Sequence, residues 1–430
     1  MSTWNAAAHP RGGPTNPGRF ARAIRSAPAD LELDGTSGWP AHRYQTVPWQ
    51  MSGRGPRDDR MLRDIGVSLP PEIATLDLRT SKSTGLAVVD ATSAVASLDS
   101  GLGRQLVGLG SFLLRTESVS SSRIEHVNAS RNDFAKALAG IKSSSAAKTT
   151  FAAVTALESM IRRAGGSGRI ALTDMLEAHR LLMKDDWNEK LYAGRVRDVQ
   201  NWIGGSDYSP RGTIHVPPPT PLVDPLMDDL IRYVNREDIP AIVQAAIAHA
   251  QFESIHPFTD GNGRIGRALI SATLRRRQLA KRTVVPIASA MLADTSRYFS
   301  MVNDYRNGAA DEFVHYLAEA TSSAAEAAES SAEVLAELPD AWRDQAKPRG
   351  GSTAEALIGK LLGHPVVNVS DVMALTGSSY NAANGACDRL TETEVLTPLT
   401  QSARDRAWMA ADVLDEIDDM NLRVGRCTPP

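Results

Sequence analysis

Cysteine is nearly absent: Cys387 and Cys427 are the only two in 430 residues. Two such distant thiols offer neither a disulfide framework nor metal-ligand spacing, and they fit a reducing compartment. Aromatic residues are scarce at 5%, while alanine, leucine and arginine are plentiful, a balance that favours helix over sheet. No uninterrupted apolar run approaches the ~20 residues of a membrane-spanning helix. The opening Met1-Ser2-Thr3-Trp4-Asn5 leads into no apolar core of signal-peptide type. Charge of one sign is missing too. A net charge of −3 and a pI near 6.3 leave no global basic field to draw the chain to nucleic acid or anionic lipid. These absences set the expectation of a soluble cytoplasmic protein with no membrane partner, long enough for two or three domains.

What the chain does have is concentrated in one loop, His256-Pro257-Phe258-Thr259-Asp260-Gly261-Asn262-Gly263-Arg264-Ile265-Gly266-Arg267. Apolar residues at helical spacing flank it on both sides, Ile242, Val243, Ala246, Ile247, Ala250 and Phe252 before, Leu269, Ala272 and Leu274 after. Glycines 261, 263 and 266 allow positive φ and close approach of backbone N–H groups to a ligand. Asn262 is a good N-cap, so the second helix is expected to start there. Its free first-turn N–H groups, at the positive end of the macrodipole, form an anion site. Arg264 and Arg267 share one face of that first turn, where cations are disfavoured by roughly 0.3–1 kcal/mol unless an anion is present. The simplest such anion is a polyphosphate. Asp260 is a hard oxygen donor placed as Mg²⁺ bridging protein and phosphate requires. His256 can accept a proton near neutral pH. Together these groups describe transfer at a phosphorus centre.

The loop resembles the signature of the Fic family, His-Pro-Phe-x-Asp-Gly-Asn-Gly-Arg-x-x-Arg, with no departure. That resemblance implies a protein adenylyltransferase, which moves AMP from ATP to a Tyr, Ser or Thr hydroxyl of a target protein and releases pyrophosphate. It implies His256 as general base, Asp260 as the Mg²⁺ ligand, and Phe258, Gly261, Asn262, Gly263, Arg264 and Arg267 as the nucleotide-binding set. The expected fold is mainly α, a Fic-type helical bundle with a β-hairpin flap and a C-terminal winged helix-turn-helix domain.

Upstream, Ala193–Val199 and Thr213–Pro219 read as two short strands around Gly204-Gly205. They resemble the Fic flap, whose free edge pairs with an extended target segment; Thr213, Ile214, His215 and Val216 would dock the target, with His215 an exposed strand residue. Ser120-Ser121-Ser122-Arg123-Ile124-Glu125-His126 reads by itself as a serine-rich helix start. It resembles the family's inhibitory motif, Ser/Thr-x-x-x-Glu-Gly/Asn, through Ser121 and Glu125, while His126 replaces the usual Gly or Asn. The motif implies a carboxylate that binds Arg267 and denies it to the γ-phosphate of ATP.

The rest of the core reads as packing. One stripe, Phe151, Val154, Leu157, Met160 and Ile161, is expected to stop at Gly165-Gly166. Thr173 is expected to cap the next helix, and Pro221–Val234 forms another. Arg275-Arg276-Arg277 sits at a helix end, where cations are favoured. Tyr298, Phe299 and Tyr305 line an adenine pocket or close the core; the sequence leaves both open. The expected divisions are an N-terminal segment 1–80, partly flexible around His9–Pro14 with Phe20, Trp39 and Trp49 as anchors, a catalytic core 81–320 with its inhibitory helix near 118–128, a helical linker and hinge 321–352, a winged-helix-like domain 353–424 and a tail 425–430.

The C-terminal reading rests on Asn368–Gly377 and Ser378–Leu390 as helices and on Val395–Thr397 and Ala407–Met409 as wing strands, which resemble the winged helix appended to many Fic proteins. Asp388, Glu392, Glu394 and the acidic stretch Asp412–Asp419 oppose phosphate binding, so protein interaction or dimerisation is favoured there over DNA. The expected partners are a protein substrate, the chain itself included, and a homo-oligomeric copy. Two alternatives stand beside the transferase: a de-AMPylase with Glu125 as base, and a nucleotide-binding transcriptional or scaffold regulator acting through the winged helix.

Overall fold

The computed structural model describes residues 38–51, 53–101, 108–400 and 406–427. The expectations for His9–Pro14 and Phe20 lie outside the described residues. Trp39 and Trp49 are buried.

An antiparallel pair opens the described chain, β1 (Arg43–Pro48) and β2 (Asp64–Leu69), joined through the short helix α1 (Arg57–Met61). It was not expected from the sequence, because β1 is exposed along most of its length and shows no clear alternation. Val47, Trp49, Ile65 and Val67 pack with Trp202 and Val216 into a small separate core.

The helical body follows: α2 (Lys82–Gly101), α3 (Leu109–Ile124), α4 (Arg131–Leu138), α5 (Ser145–Ser167), α6 (Leu172–Met183), α7 (Thr220–Val234), α8 (Ala241–Ile255), α9 (Asn262–Arg276), α10 (Ile287–Ala293), α11 (Thr295–Arg306) and α12 (Ala310–Ala346). At 37 residues α12 forms a spine about 55 Å long, and α2 lies along it. Helix α8 is buried on every side, so its polar residues need internal partners. Gln244 donates to the carbonyls of Tyr233 and Arg236, and Gln251 accepts from Tyr305 Oη at 2.9 Å. Tyr305 therefore closes the core, and so does Tyr298, whose hydroxyl lies 3.0 Å from His249 Nε2.

Three local expectations are corrected. Helix α5 runs through Gly165-Gly166 and ends at Gly168, where the chain turns left-handed with φ 65°; a glycine stops a helix where that conformation is needed, not wherever it occurs. Phe151 is exposed. Thr173 lies inside α6, whose N-cap is Ala171, and Asp174 Oδ2 accepts from the Ala171 N–H instead.

The C-terminal part contains α13 (Thr353–Ile358), β3 (Val366–Asn368), α14 (Val369–Thr376), α15 (Tyr380–Glu392), β4 (Thr397–Pro398), β5 (Ala407–Met409) and α16 (Ala411–Cys427). The three strands form one antiparallel sheet in the order β3-β5-β4. Asn368 and Asp371 form a capping box on α14, and Gly377 ends it with φ 67°. Helix α16 leaves this unit and packs on α12, α10 and α3. Three acidic residues of α16 tie it to other elements: Asp418 binds Arg123 at 2.7 Å, Asp415 binds Arg131, and Asp412 accepts from Trp342 Nε1 at 2.8 Å. No helix among the described residues is long and apolar enough to cross a membrane.

Candidate active site

His256 caps the C-terminus of α8 in the left-handed conformation, φ 50° and ψ 62°, and its N–H still donates to Phe252 O at 2.9 Å. Pro257 then prevents the helix from continuing. The ring's Nδ1 lies 2.9 Å from Asn201 Nδ2 and 3.1 Å from Asn262 Nδ2. Asn262 does not cap α9. Its side chain folds back into the loop, where Oδ1 accepts from Phe258 N and Nδ2 donates to Phe258 O, both at 2.8 Å. The N-cap is Gly261, with φ 78°, a conformation that glycine adopts without strain.

Phe258 is fully buried and stacks on His179, with ring centroids 3.9 Å apart and planes within 4°. His179 Nδ1 accepts from Gly194 N at 3.0 Å, so Nε2 carries the proton and donates to Asp260 O at 3.1 Å. Burial lowers the His179 pKa to about 4 and keeps the ring neutral. Thr259 Oγ1 donates to Glu189 at 2.7 Å. Asp260 Oδ1 accepts from Gly261 N at 2.7 Å and keeps about a quarter of its side chain in solvent.

Arg264 and Arg267 rise from the first turns of α9. Arg264 is buried, with Nη2 3.8 Å from Asp260 Oδ1; its Nε and Nη1 have no hydrogen-bond partner among the described residues. Arg267 is buried more deeply. Its Nε donates to Ser121 Oγ at 2.8 Å, and Nη2 donates to Ser121 O at 2.9 Å and to Glu125 Oε1 at 2.6 Å. Nη1 has no partner among the described residues. Burial works against this charge, but Glu125, with Tyr298 and Glu253, more than offsets it and holds the Arg267 pKa above its ordinary value.

Ser120–Ser122 are the last turn of α3, not a helix start, and Glu125 is its C-cap. The Glu125 carboxylate lies so close over the N-terminal turn of α9 that a methyl group on Gly263 would overlap it and crowd Arg267. It fills the place that the helix dipole and N–H groups offer to an anion. His126 has φ 58°, the left-handed position where glycine or asparagine is comfortable. The helix end is kept all the same: His126 N donates to Arg123 O and Val127 N to Ser122 O, each at 2.9 Å.

Two more carboxyls stand behind Arg267. Burial raises Glu253 and Glu117 each to about 7, with the Arg267 charge pulling the other way. Glu117 Oε2 accepts from Ala288 N at 2.8 Å. A side chain at Gly266 would meet the Glu253 carboxylate. None of these buried groups carries a local sequence signal.

The flap region departs from the expected pair of strands. Residues 193–199 form no strand, and the pairing is reduced to one bridge, Ile203 with His215. Arg197 is the reason. Its N–H donates to Pro257 O, and its buried guanidinium donates to His256 O at 2.9 Å and Pro218 O at 2.6 Å, which binds this segment to the His256–Arg267 loop instead of a neighbouring strand. His215 is buried, not exposed; its Nε2 lies 3.0 Å from Ser254 O, and burial pushes its pKa well down. Val216 is buried, and its carbonyl accepts from Ser68 N of β2 at 2.8 Å. Thr213 is half-buried, and Ile214 is the exposed apolar residue at this edge.

The structure thus brings His256, Phe258, Asp260, Asn262, Gly263, Arg264 and Arg267 onto one wall and sets Ser121 and Glu125 against it. A family model described as Fic/DOC family matches residues 169–274, which run from the start of α6 through nearly all of α9. This segment is similar to the Fic/DOC family. Protein adenylyltransferase fic-1 of Caenorhabditis elegans is 29% identical over 152 residues, 35% of this chain and 27% of its own length. Protein adenylyltransferase Fic of Nematostella vectensis is 30% identical over 158 residues, 36% of this chain and 33% of its own length. The match therefore spans a third or less of these relatives. A crystal structure of a Fic family protein from Desulfovibrio desulfuricans G20 superposes with a TM-score of 0.50 at 20% identity, covering 77% of this chain and 97% of that one. This likeness extends the Fic fold beyond the matched segment.

Proposed function

We propose that this Fic protein is an autoinhibited protein adenylyltransferase. The observation that carries the reading is the Glu125 carboxylate, bound to Arg267 at 2.6 Å over the glycine-built start of α9. A carboxylate there competes with the polyphosphate that two first-turn arginines are suited to hold. When it withdraws, Arg267 and the unpartnered donors of Arg264 become available to ATP.

The target hydroxyl would enter along the edge near Ile214. His256 takes its proton, the hydroxyl oxygen bonds to the α-phosphorus, and the bond from that phosphorus to the bridging oxygen of the β-phosphate breaks. Pyrophosphate leaves, its charge balanced by Arg264 and Arg267. Among the described residues no three His, Cys, Asp or Glu side chains converge into a ready-made metal site. Mg²⁺ would therefore take most of its ligands from phosphate oxygens and water, with the partly exposed Asp260 as the protein's contribution. Bound there, it would neutralise phosphate charge.

Incubation with ATP labelled on the α- or γ-phosphate, together with a mixture of candidate target proteins, tests this reading. Protein-bound α-label without γ-label, lost in His256→Ala, is the expected result; γ-label transfer, or no protein-bound label from any variant, contradicts it.

The C-terminal unit supports a winged-helix reading, because α13 precedes, and α14 and α15 interrupt, a three-stranded antiparallel sheet in the order β3-β5-β4. Its α15 is not a free basic face. Arg389 donates to Ala346 O at 2.7 Å, and Asp388 pairs with Arg406. Protein contact is the role that this chemistry favours.

A further inference from the structure

Asp59 of α1 is completely buried, although its side chain is a carboxylate, and it lies outside the segment that the family model matches. A buried carboxylate needs hydrogen-bond donors close by. Two reach its Oδ1, and both come from the turn of the flap region, 150 and 152 residues further on. Ser209 Oγ donates at 2.6 Å and Arg211 Nε at 3.4 Å. Ser209 is completely buried as well. The N-terminal segment holds this region at three more points. Gly55 lies against Tyr208, so that a Cβ at 55 would come within 3.2 Å of the ring. Trp49 meets Trp202 edge-on, with ring centroids 5.7 Å apart, and Ser68 N donates to Val216 O at 2.8 Å.

Neither side is strong by itself. β1 and β2 form only a two-stranded pair, and the flap region has the single bridge of Ile203 with His215. Isolated two-stranded hairpins are marginal in water. The Ser68–Val216 bond and the small core around Trp202 join the two, and each supports the other. The opposite end of the flap region is fixed beside His256. Asn201 Nδ2 lies 2.9 Å from His256 Nδ1 and 2.8 Å from Phe258 O. The edge at Ile203 and Ile214 is therefore anchored both near the imidazole and at its turn. A drifting edge would have to be ordered by each target at a cost in affinity, whereas an edge held by Asp59 is ordered on folding.

We propose that Asp59 is a positioning residue for the target. It holds the turn at Ser209 and Arg211, and with it the edge at Ile203 and Ile214, in the place where an extended target segment pairs. The proposal rests on the reading of this edge as the docking site of a protein adenylyltransferase. It makes the β1–β2 segment part of target recognition, with no share in ATP binding or in the transfer step.

The test uses the full-length chain with Glu125→Gly as parent, and adds Asp59→Ala, Ser209→Ala or both. Ser209→Ala breaks the same bond from the flap side and leaves the N-terminal segment untouched. The amides of Ile203, Ser206 and Ile214 are hydrogen-bonded within the flap region. Their hydrogen exchange is expected to quicken by roughly tenfold or more in each variant. Exchange in α8 and α9 should stay within about twofold, as it does when the helical body is intact. Protein-bound label from α-labelled ATP is then followed against the concentration of one mixture of target proteins. Half-maximal rate should need roughly tenfold more of the mixture, while the maximal rate and the ATP affinity stay within about twofold. The double variant should be no worse than Asp59→Ala, because the two changes remove one shared bond. Asp59→Asn keeps an oxygen for Ser209 and should restore most of the affinity. Unchanged exchange at Ile203, Ser206 and Ile214, or a half-saturating concentration that does not move, overturns the proposal. If the parent itself transfers no AMP, the adenylyltransferase reading fails, while the exchange rates still decide whether Asp59 holds the edge.

Discussion

Arg267 and Glu125 are 142 residues apart in the chain and meet at 2.6 Å, with the arginine side chain almost wholly buried. Removing one partner of such a pair leaves the other without compensation. Ser121 still supplies two bonds to Arg267 and Glu125 is partly solvated, so the loss in Glu125→Gly is expected at about 1–3 kcal/mol, below the full cost of a buried pair. Thermal unfolding without nucleotide should show a lower Tm for the variant. Added ATP should raise Tm more in the variant than in the wild type, because only the variant leaves the arginine free for phosphate. An equal rise in both would contradict this.

The C-terminal helix α16 grips α3, the helix that carries Ser121 and leads into Glu125. Ser120 Oγ donates to Asn421 Oδ1 at 2.9 Å and Arg123 pairs with Asp418 at 2.7 Å, while Arg115 Nη2, in the middle of α3, donates to Gly363 O between α13 and β3 at 2.9 Å. The Asp418 pair is half-exposed and weak by itself. The double variant Asp418→Ala/Asn421→Ala should loosen α3 by about 1 kcal/mol, a roughly fivefold population shift. Its labelling rate should fall between those of the wild type and Glu125→Gly, measured under matched ATP.

Glu117 gives a pH dependence with a definite sign. Its carboxyl titrates at 4.5 ordinarily and at about 7 when buried in the fold, because burial disfavours the charge more than the Ala288 N–H and Arg267 restore it. Between those values the unfolded chain has lost a proton that the folded chain keeps. This group's contribution to stability therefore falls as pH rises from about 4.5 to about 7 and is level above. The full span is about 3 kcal/mol. Glu117→Gln should be more stable relative to the wild type at pH 8 than at pH 5, as read by denaturant unfolding at the two values; a difference independent of pH would contradict the assignment.

His179 joins the loop from behind. His179→Ala removes the stack on Phe258 and the bonds to Gly194 N and Asp260 O. A loss of about 2–4 kcal/mol is expected from the cavity and the unpaired groups. Labelling activity should fall with it, because Asp260 and the start of α9 lose their backing. Unfolding and labelling measured on one preparation check both effects.

The His256–Arg267 loop was legible because its chemistry is local: twelve consecutive residues carry the imidazole, the carboxylate, the glycines and both arginines. Ser121 and Glu125 were found through a motif, since no spacing rule links position 125 to position 267. The supports were not legible. His179, Arg197, Asn201, Glu117 and Glu253 are ordinary polar residues until folding buries them beside the loop, and single-sequence periodicity carries no long-range pairing. The β1–β2 pair was hidden by exposed polar positions, and the flap strand at 193–199 was overridden by Arg197, whose guanidinium is better satisfied by loop carbonyls than by solvent. Asn262 has the side chain of a helix cap, but Phe258's backbone competes for it.

The most direct test compares protein-bound AMP formed from α-labelled ATP by the wild type, Glu125→Gly and Glu125→Gly/Arg267→Ala, each with the same mixture of target proteins. Competition between Glu125 and the nucleotide for one guanidinium predicts little label for the wild type, a rise of roughly tenfold or more for Glu125→Gly, and loss of that gain in the double variant. Equal labelling by the wild type and Glu125→Gly, or a gain that survives the loss of Arg267, would contradict it.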